Sequence, residues 1–242
     1  MEPDRTSQAS FETTSLGRVG YAQGLDIQRR EHERILAARE EQSSLAGNIL
    51  VVEHDPVLTV SKRATARDNI VVSSERLAQL GIEVHETDRG GDITYHGPGQ
   101  VVIYPIVDLN RVGLNLHAYM RLMEEAVIRA CARFGIEADR EEGATGVWLP
   151  SRIHSGDLAK VCAMGVRVRR WVTMHGLALN VSPDMTHFQT IVPCGLVGRP
   201  VTSLREQLGE ECPSFEGAAN AVCEELIALF EEQMANGARR KD

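Results

Sequence analysis

Hydrophobic and polar positions divide the chain into short apolar strands and longer amphipathic helices. Residues 1–15 are polar and read as a flexible tail, and residues 16–19 read as a short strand. From Tyr21 to about Ser43 the sequence is charged and poor in Gly and Pro, interrupted only by Gly24, which predicts a helix. Residues 48–53 form a continuous apolar run closed by the His54-Asp55-Pro56 turn, and residues 57–60 make a second strand. Lys62, Arg63 and Arg67 form a basic loop. Ser73-Ser74-Glu75 carries helix N-cap chemistry with Gly81 at the stop, and residues 82–86 alternate as a strand does.

The second half is as strongly patterned. An apolar strand over 101–107 precedes the clearest helix, residues 115–134. There Leu116, Tyr119, Met120, Met123, Val127, Ala130, Cys131 and Phe134 recur at spacings of three and four, before Gly135. Residues 146–149 are a short strand ending at Pro150, followed by a polar loop over 151–157. From Lys160 the chain alternates through Arg169, bends at Arg170-Trp171 and returns over 172–181. This predicts an antiparallel pair, with Met174-His175-Gly176 expected to face the start of its first strand. A brief helical turn over 184–189 follows. Thr202-Ser203-Leu204 opens a short helix ending near Gly209, and residues 215–234 form an amphipathic C-terminal helix before the basic tail. No linker or internal repeat interrupts this pattern. It is read as one domain, 16–234, between tails at 1–15 and 235–242.

Composition narrows the classes. The 242 residues, 43% hydrophobic and 25% charged, suit one globular domain of ordinary kind. Five cysteines (Cys131, Cys162, Cys194, Cys212 and Cys223) show no CxxC or other metal-ligand spacing, and their number is odd. Neither a disulfide framework nor a metal site is indicated. The N-terminus lacks the apolar core of a signal peptide, and no apolar run approaches the roughly 18 residues of a membrane span. The expectation is a cytoplasmic protein with no membrane partner. A net charge of −8 argues against bulk nucleic-acid binding.

Two stretches carry candidate chemistry. In Ile191-Val192-Pro193-Cys194-Gly195 a thiol stands between a proline, which restricts the residue before it, and a glycine, which allows close approach to the backbone. Such a thiol is either an accessible nucleophile or a buried structural cysteine. The second stretch is Arg89-Gly90-Gly91-Asp92-Ile93-Thr94-Tyr95-His96-Gly97-Pro98-Gly99-Gln100, with four glycines between two strands. It reads as two turns flanking 93–96, either simple hairpin turns or walls bringing Tyr95 and His96 to a shared cleft. Neither GxxxxGK[ST] nor strand-GxGxxG-helix is present, so it is not a phosphate loop.

Taken together, RGGDITYHGPGQ, GVWL, AKVCAMGVRVRRWVTMHGLALNV and IVPCG followed by VTSL closely resemble the lipoyl(octanoyl) transferase family, from about Leu16 to the C-terminal helix. The resemblance implies an α+β fold like that of biotin and lipoate protein ligase catalytic modules, a larger mixed sheet and a smaller one flanked by helices. It implies transfer of an octanoyl or lipoyl group from acyl-carrier protein to a lysine of lipoyl-bearing proteins. Those acceptors are the lipoyl domains of 2-oxoacid dehydrogenases and the glycine-cleavage H protein. It also implies Cys194 as thioester nucleophile, Lys160 as its activator, and an acyl site lined by Arg89, Gly90, Gly91, Asp92, Ile93, Thr94, Tyr95, His96, Ala163, Met164, Gly165, Gly176, Leu177 and Ala178. Asp92, where Gln or Lys is expected, and Ser61, where Gly is usual, depart from the family pattern.

The chemistry of these residues agrees. Thioester to amide is downhill and needs no ATP and no cofactor. A cysteine suits a ping-pong route because its acyl form is itself a thioester. An ammonium at Lys160 beside the sulfur would favour thiolate, although a lysine on a strand is otherwise an ordinary exposed residue. Small side chains at Ala163, Gly165, Gly176 and Ala178 would leave room for an eight-carbon chain. The proton of the acceptor amine goes to neutral Lys160 or to His96. His175 reads as a hydrogen-bonded strand histidine, without a nearby Asp or Asn signal of a protease-type pair. An ATP-dependent lipoate or biotin ligase of the same fold, and a non-catalytic acyl-protein binding module, are the alternatives.

Overall fold

The computed structural model describes residues 9–150, 158–192 and 199–239. A seven-stranded mixed sheet forms its centre. β1 (Ser10–Val19) runs parallel to β2 (Leu45–His54), with α1 (Tyr21–Glu40) as the crossover. Outward from β2, antiparallel pairing joins β6 (Gln100–Val107), β10 (Val172–Asn180), β9 (Leu158–Arg169), β8 (Ala144–Pro150) and β7 (Asp139–Glu141). A smaller sheet has β3 (Val57–Ser61) at its middle, parallel to β4 (Glu83–Thr87) and antiparallel to β5 (Ile93–His96). The α+β architecture with a larger and a smaller sheet is the one the family resemblance implies.

The apolar runs of β2 and β6 are continuous because both faces of the large sheet are covered. Ile49, Val51, Val101 and Ile103 face α4 (Leu116–Ala132) and α6 (Phe215–Arg239). The alternate residues Leu50, Val52, Val102 and Tyr104 pack with Ile35 and Leu36 of α1. The small sheet buries Leu58, Val60, Ile93 and Tyr95 against Leu77 of α2 (Ser74–Gln79) and Phe188 of a 3₁₀ helix, Met185–Thr190. Ser73 caps α2 by accepting from the Arg76 N–H. A full capping box, Ser203 with Glu206, opens α5 (Leu204–Leu208).

Several expectations change here. β1 starts at Ser10, where residues up to 15 read as tail, because this edge strand is mostly exposed and residues 10–15 carry a single apolar side chain, Phe11. The short helix α3 (Leu109–Val112) and strand β7 have no counterpart in the sequence pattern. The β9–β10 pair turns at Arg170-Trp171 with φ of 52° and 65°, the positive values a two-residue hairpin turn of type I′ needs. Its register corrects one detail. Met174, His175 and Gly176 pair with Arg167, Val166 and Gly165, the end of the first strand rather than its start. A tight hairpin permits no other register once the turn is placed. Pro105 sits mid-strand in β6, and the Thr173 hydroxyl takes over the broken ladder by donating to the Pro105 carbonyl at 2.6 Å and accepting from the Val107 N–H at 2.8 Å.

Candidate active site

The pocket lies between the two sheets, where the Gly-rich turn of β5 docks on the β9–β10 hairpin. The Gly90 N–H donates to the Val166 carbonyl at 2.9 Å. That approach requires Gly165, since a Cβ there would stand 2.4 Å from the Gly90 oxygen. Gly176 is equally constrained, with a Cβ position 2.2 Å from the Ile103 oxygen. Gly165 pairs with Gly176 and Ala163 with Ala178, so four small residues form one contiguous patch. The two glycines are therefore dictated by backbone contact.

The pocket encloses about 470 Å³, part of it open to solvent. Its wall contains Arg89, Gly91, Asp92, Ile93, Thr94 and His96 from the turn and β5. Ala163, Met164, Gly165, Gly176, Leu177 and Ala178 come from the hairpin. Two expected residues are placed elsewhere. Gly90 serves through its backbone, as above. Tyr95 alternates to the other face of β5, where its hydroxyl meets His187 Nδ1 at 2.8 Å and its ring packs on Phe188. The shared Tyr95–His96 cleft is thus corrected, because successive strand residues point to opposite faces. Tyr21, Val102, Tyr104 and His175 also line the pocket, beyond the residues the motifs name. The single-residue alternation along β6 signals Val102 and Tyr104 as a pair on one face; nothing in the sequence brings Tyr21 there.

Arg89 fastens the turn to the small sheet, donating from Nη2 to the Thr59 carbonyl at 2.9 Å and to Thr59 Oγ1 at 3.0 Å. Asp92 is buried and accepts from Asn69 Nδ2 at 2.8 Å. His96 is held at both nitrogens. Gln100 donates its amide to the Tyr95 carbonyl and to Asn180 Oδ1, at 3.2 and 2.8 Å. Its carbonyl oxygen therefore faces His96, and Nδ1 must donate to it at 2.7 Å. That leaves the lone pair on Nε2, 3.4 Å from the Thr59 hydroxyl. Burial, with the neighbouring His54 adding to it, pushes the His96 pKa down to about 3 despite the bond to Gln100.

His175 takes φ of 59°, a left-handed value uncommon for a strand residue. Two contacts hold it there: its N–H donates to Gln28 Oε1 at 2.8 Å, and Nε2 lies 3.0 Å from Asp88 Oδ1. Arg167 pairs with the other Asp88 oxygen. Burial lowers the His175 pKa, with Asp88 opposing that in part. Burial raises Asp88, but the His175 hydrogen bond and the Arg167 charge outweigh it and hold the carboxyl below its usual range. His175 is thus hydrogen-bonded as read, yet it has an aspartate partner 87 positions away that the sequence does not signal.

Lys160 is buried on β9, and its ammonium stands over the Trp148 ring at 4.6 Å from the centroid. Its backbone is bracketed by the segment that follows Cys194. The Lys160 N–H donates to Pro200, and the Thr202 N–H donates to Lys160, each at 2.9 Å. At the other end, Val192 N–H donates to the Asn69 carbonyl at 2.8 Å. Cys194 itself, with Pro193 and Gly195, lies outside the described residues. Of the other cysteines, Cys131, Cys162 and Cys223 are buried and Cys212 is half-buried. Burial raises the pKa of all four, Cys131 and Cys223 to about 12. Among the described residues no cluster fits a metal ion, and no helix is long and apolar enough to cross a membrane.

Known proteins resemble this chain in sequence and in fold. The lipoyl protein ligase A/B catalytic domain model matches residues 21–227. An octanoyltransferase of Acidobacterium capsulatum is 43% identical over 228 residues, 90% of this chain and 89% of that one. One of Bacteroides fragilis is 42% identical over 221 residues, 90% and 97% of the two chains. A solved chain from the Thermoplasma acidophilum lipoylation system, a bi-partite lipoate protein ligase and its E2 lipoyl domain, superposes with a TM-score of 0.68. It covers 95% of this chain and 92% of its own at 16% identity, a likeness of fold. By family match and by identity over nearly all of both relatives, the chain belongs to the lipoyl protein ligase A/B catalytic domain family and is an acyltransferase of the octanoyltransferase kind.

Proposed function

We propose that the chain carries an octanoyl group from acyl-carrier protein to a lysine of a lipoyl domain through a thioester on Cys194, with Lys160 as its partner. The observation that carries this reading is the bracketing of Lys160 by Pro200 and Thr202. Cys194 lies two positions after the anchored Val192 and six before Pro200. The segment bearing the thiol thus leaves from beside Asn69, whose side chain holds Asp92 of the pocket wall, and returns to the lysine. The other four thiols are kept protonated by burial, which favours Cys194 by elimination.

In the first half-reaction the Cys194 thiolate attacks the donor thioester carbonyl. A C–S bond forms to Cys194, the C–S bond to the carrier breaks, and the carrier thiolate leaves with a proton taken from the Lys160 ammonium, which is left neutral for the second half-reaction. An ammonium at Lys160 stabilises thiolate beside it, and the Ala163–Ala178, Gly165–Gly176 patch accommodates the alkyl chain. In the second half-reaction the acceptor amine attacks the Cys194 thioester, an amide forms, and the thiolate departs. The amine's proton goes to neutral Lys160. His96 is unsuited to that step, because both its nitrogens are engaged and its affinity for a proton is reduced by burial.

Docking of an acidic carrier on this acidic chain needs local positive charge. Lys62 and Arg63 line a space of about 470 Å³ beside Arg89, Gly90 and Gly91, next to the acyl pocket. Arg67 pairs with Glu86 at 3.5 Å and Arg167 pairs with Asp88. Lys62, Arg63 and Arg169 have no carboxylate partner among the described residues and form the docking set. The direct test is transfer from octanoyl-carrier protein to a purified lipoyl domain without ATP. The reading requires a modified lysine, and strict dependence on ATP would place the chain with the ligases instead.

A further inference from the structure

Lys160 and Trp148 are cross-strand partners on β9 and β8, so their side chains share one face of the sheet. The ammonium lies 4.6 Å from the ring centroid, within cation–π range. The stem of the lysine lies along Gly146, at φ of 120°. A Cβ at that position would stand 3.4 and 3.5 Å from Lys160 Cε and Cδ, and 2.5 Å from the Cys162 oxygen. A second cation, Arg199, places its guanidinium 5.5 Å from the same ring and bonds Glu141 at 2.6 Å. Arg199 is the first described residue after the Cys194 segment.

Apolar packing alone does not account for this tryptophan. Trp148 is buried, and its indole N–H has no hydrogen-bond partner among the described residues. An orphaned buried donor is unfavourable, and leucine or phenylalanine would fill a core without one. What tryptophan adds is the strongest π face for a cation. Two cations from two segments converge on it.

We propose that Trp148 is a positioning residue for acyl transfer, its indole face holding the Lys160 ammonium and tying the return of the Cys194 segment, through Arg199, to the same place. This rests on the role assigned to Lys160 above. A double-mutant cycle of Trp148→Leu and Lys160→Met tests it, with kcat and KM measured for a small octanoyl-pantetheine donor and with Trp148→Phe as the conservative rescue. Trp148→Leu should lower kcat on the order of tenfold with little change in KM. Trp148→Phe should recover most of that loss, and Trp148→Leu should cost less than twofold once Lys160 is already methionine. An equal loss in both backgrounds, or phenylalanine no better than leucine, would overturn the positioning role and leave the lysine's role standing. A Lys160→Met single variant with unchanged kcat would instead overturn the underlying reading. Where Trp148→Leu does not fold, Trp148→Phe carries the cycle, its partial loss again confined to the background that retains Lys160.

Discussion

Acid should weaken this fold through its buried histidines well before its carboxylates protonate. His96 has a proton affinity reduced to about 3, against an unfolded value of about 6.5. Below pH 6.5 the unfolded chain takes up a proton that the folded chain refuses. Stability is therefore fully present above 6.5, falls as pH falls, and levels off near 3. Each pH unit in that window costs about 1.4 kcal/mol, so going from pH 7 to pH 5 removes about 2 kcal/mol through His96 alone. His54, lowered chiefly by burial, and His175, lowered by burial against the pull of Asp88, act in the same direction. Between pH 7 and pH 5 most carboxylates stay ionised, so the histidines dominate the change there. The assay is urea unfolding at pH 7 and pH 5, followed by the emission of buried Trp148. His96→Gln should remain folded with a pH dependence smaller by about 2 kcal/mol than that of the parent. An identical dependence in both would show that His96 takes up its proton in the folded state, and the effect assigned to its burial would fail.

Other consequences are equally specific. Gly165→Ala should destabilise by about 1–3 kcal/mol and weaken octanoate binding, because its Cβ would sit 2.4 Å from the Gly90 oxygen; an unchanged melting temperature would mean the Gly-rich turn is not seated on β9. Asp88→Asn should shift the His175 ring titration further down, since the carboxylate is what opposes burial there. An NMR titration unchanged by that substitution would remove the Asp88–His175 pair from the site. Rates with carrier-bound donor should fall as salt rises, more steeply than rates with octanoyl-pantetheine, charges being screened over about 8 Å at physiological salt. Equal responses would refute docking through Lys62, Arg63 and Arg169.

Periodic signals made most of the fold legible. The stripe from Leu116 to Phe134, the alternation from Lys160 and the N-cap serines each act over a few residues, and each stands in place. What escaped was weakly apolar or long-range. β1 is polar because it is an exposed edge, and α3 is a single turn capped by Asp108. The wall residues on the Gly-rich turn and the hairpin could be named from their motifs. Tyr95 could not be placed correctly by motif alone, although strand alternation opposes it to His96. Tyr21 and the Asp88–His175 contact depend on how α1 and the small sheet pack on the large one, which no local pattern encodes.

The proposed transfer turns on Cys194 as the point of covalent attachment. Intact-protein mass spectrometry after mixing with octanoyl-carrier protein, without acceptor, reads this directly. One octanoyl adduct is expected, mapping to Cys194, released by hydroxylamine and missing from a folded Cys194→Ala variant. An adduct that persists in Cys194→Ala, or that maps to Cys162 or Cys212, would contradict the account.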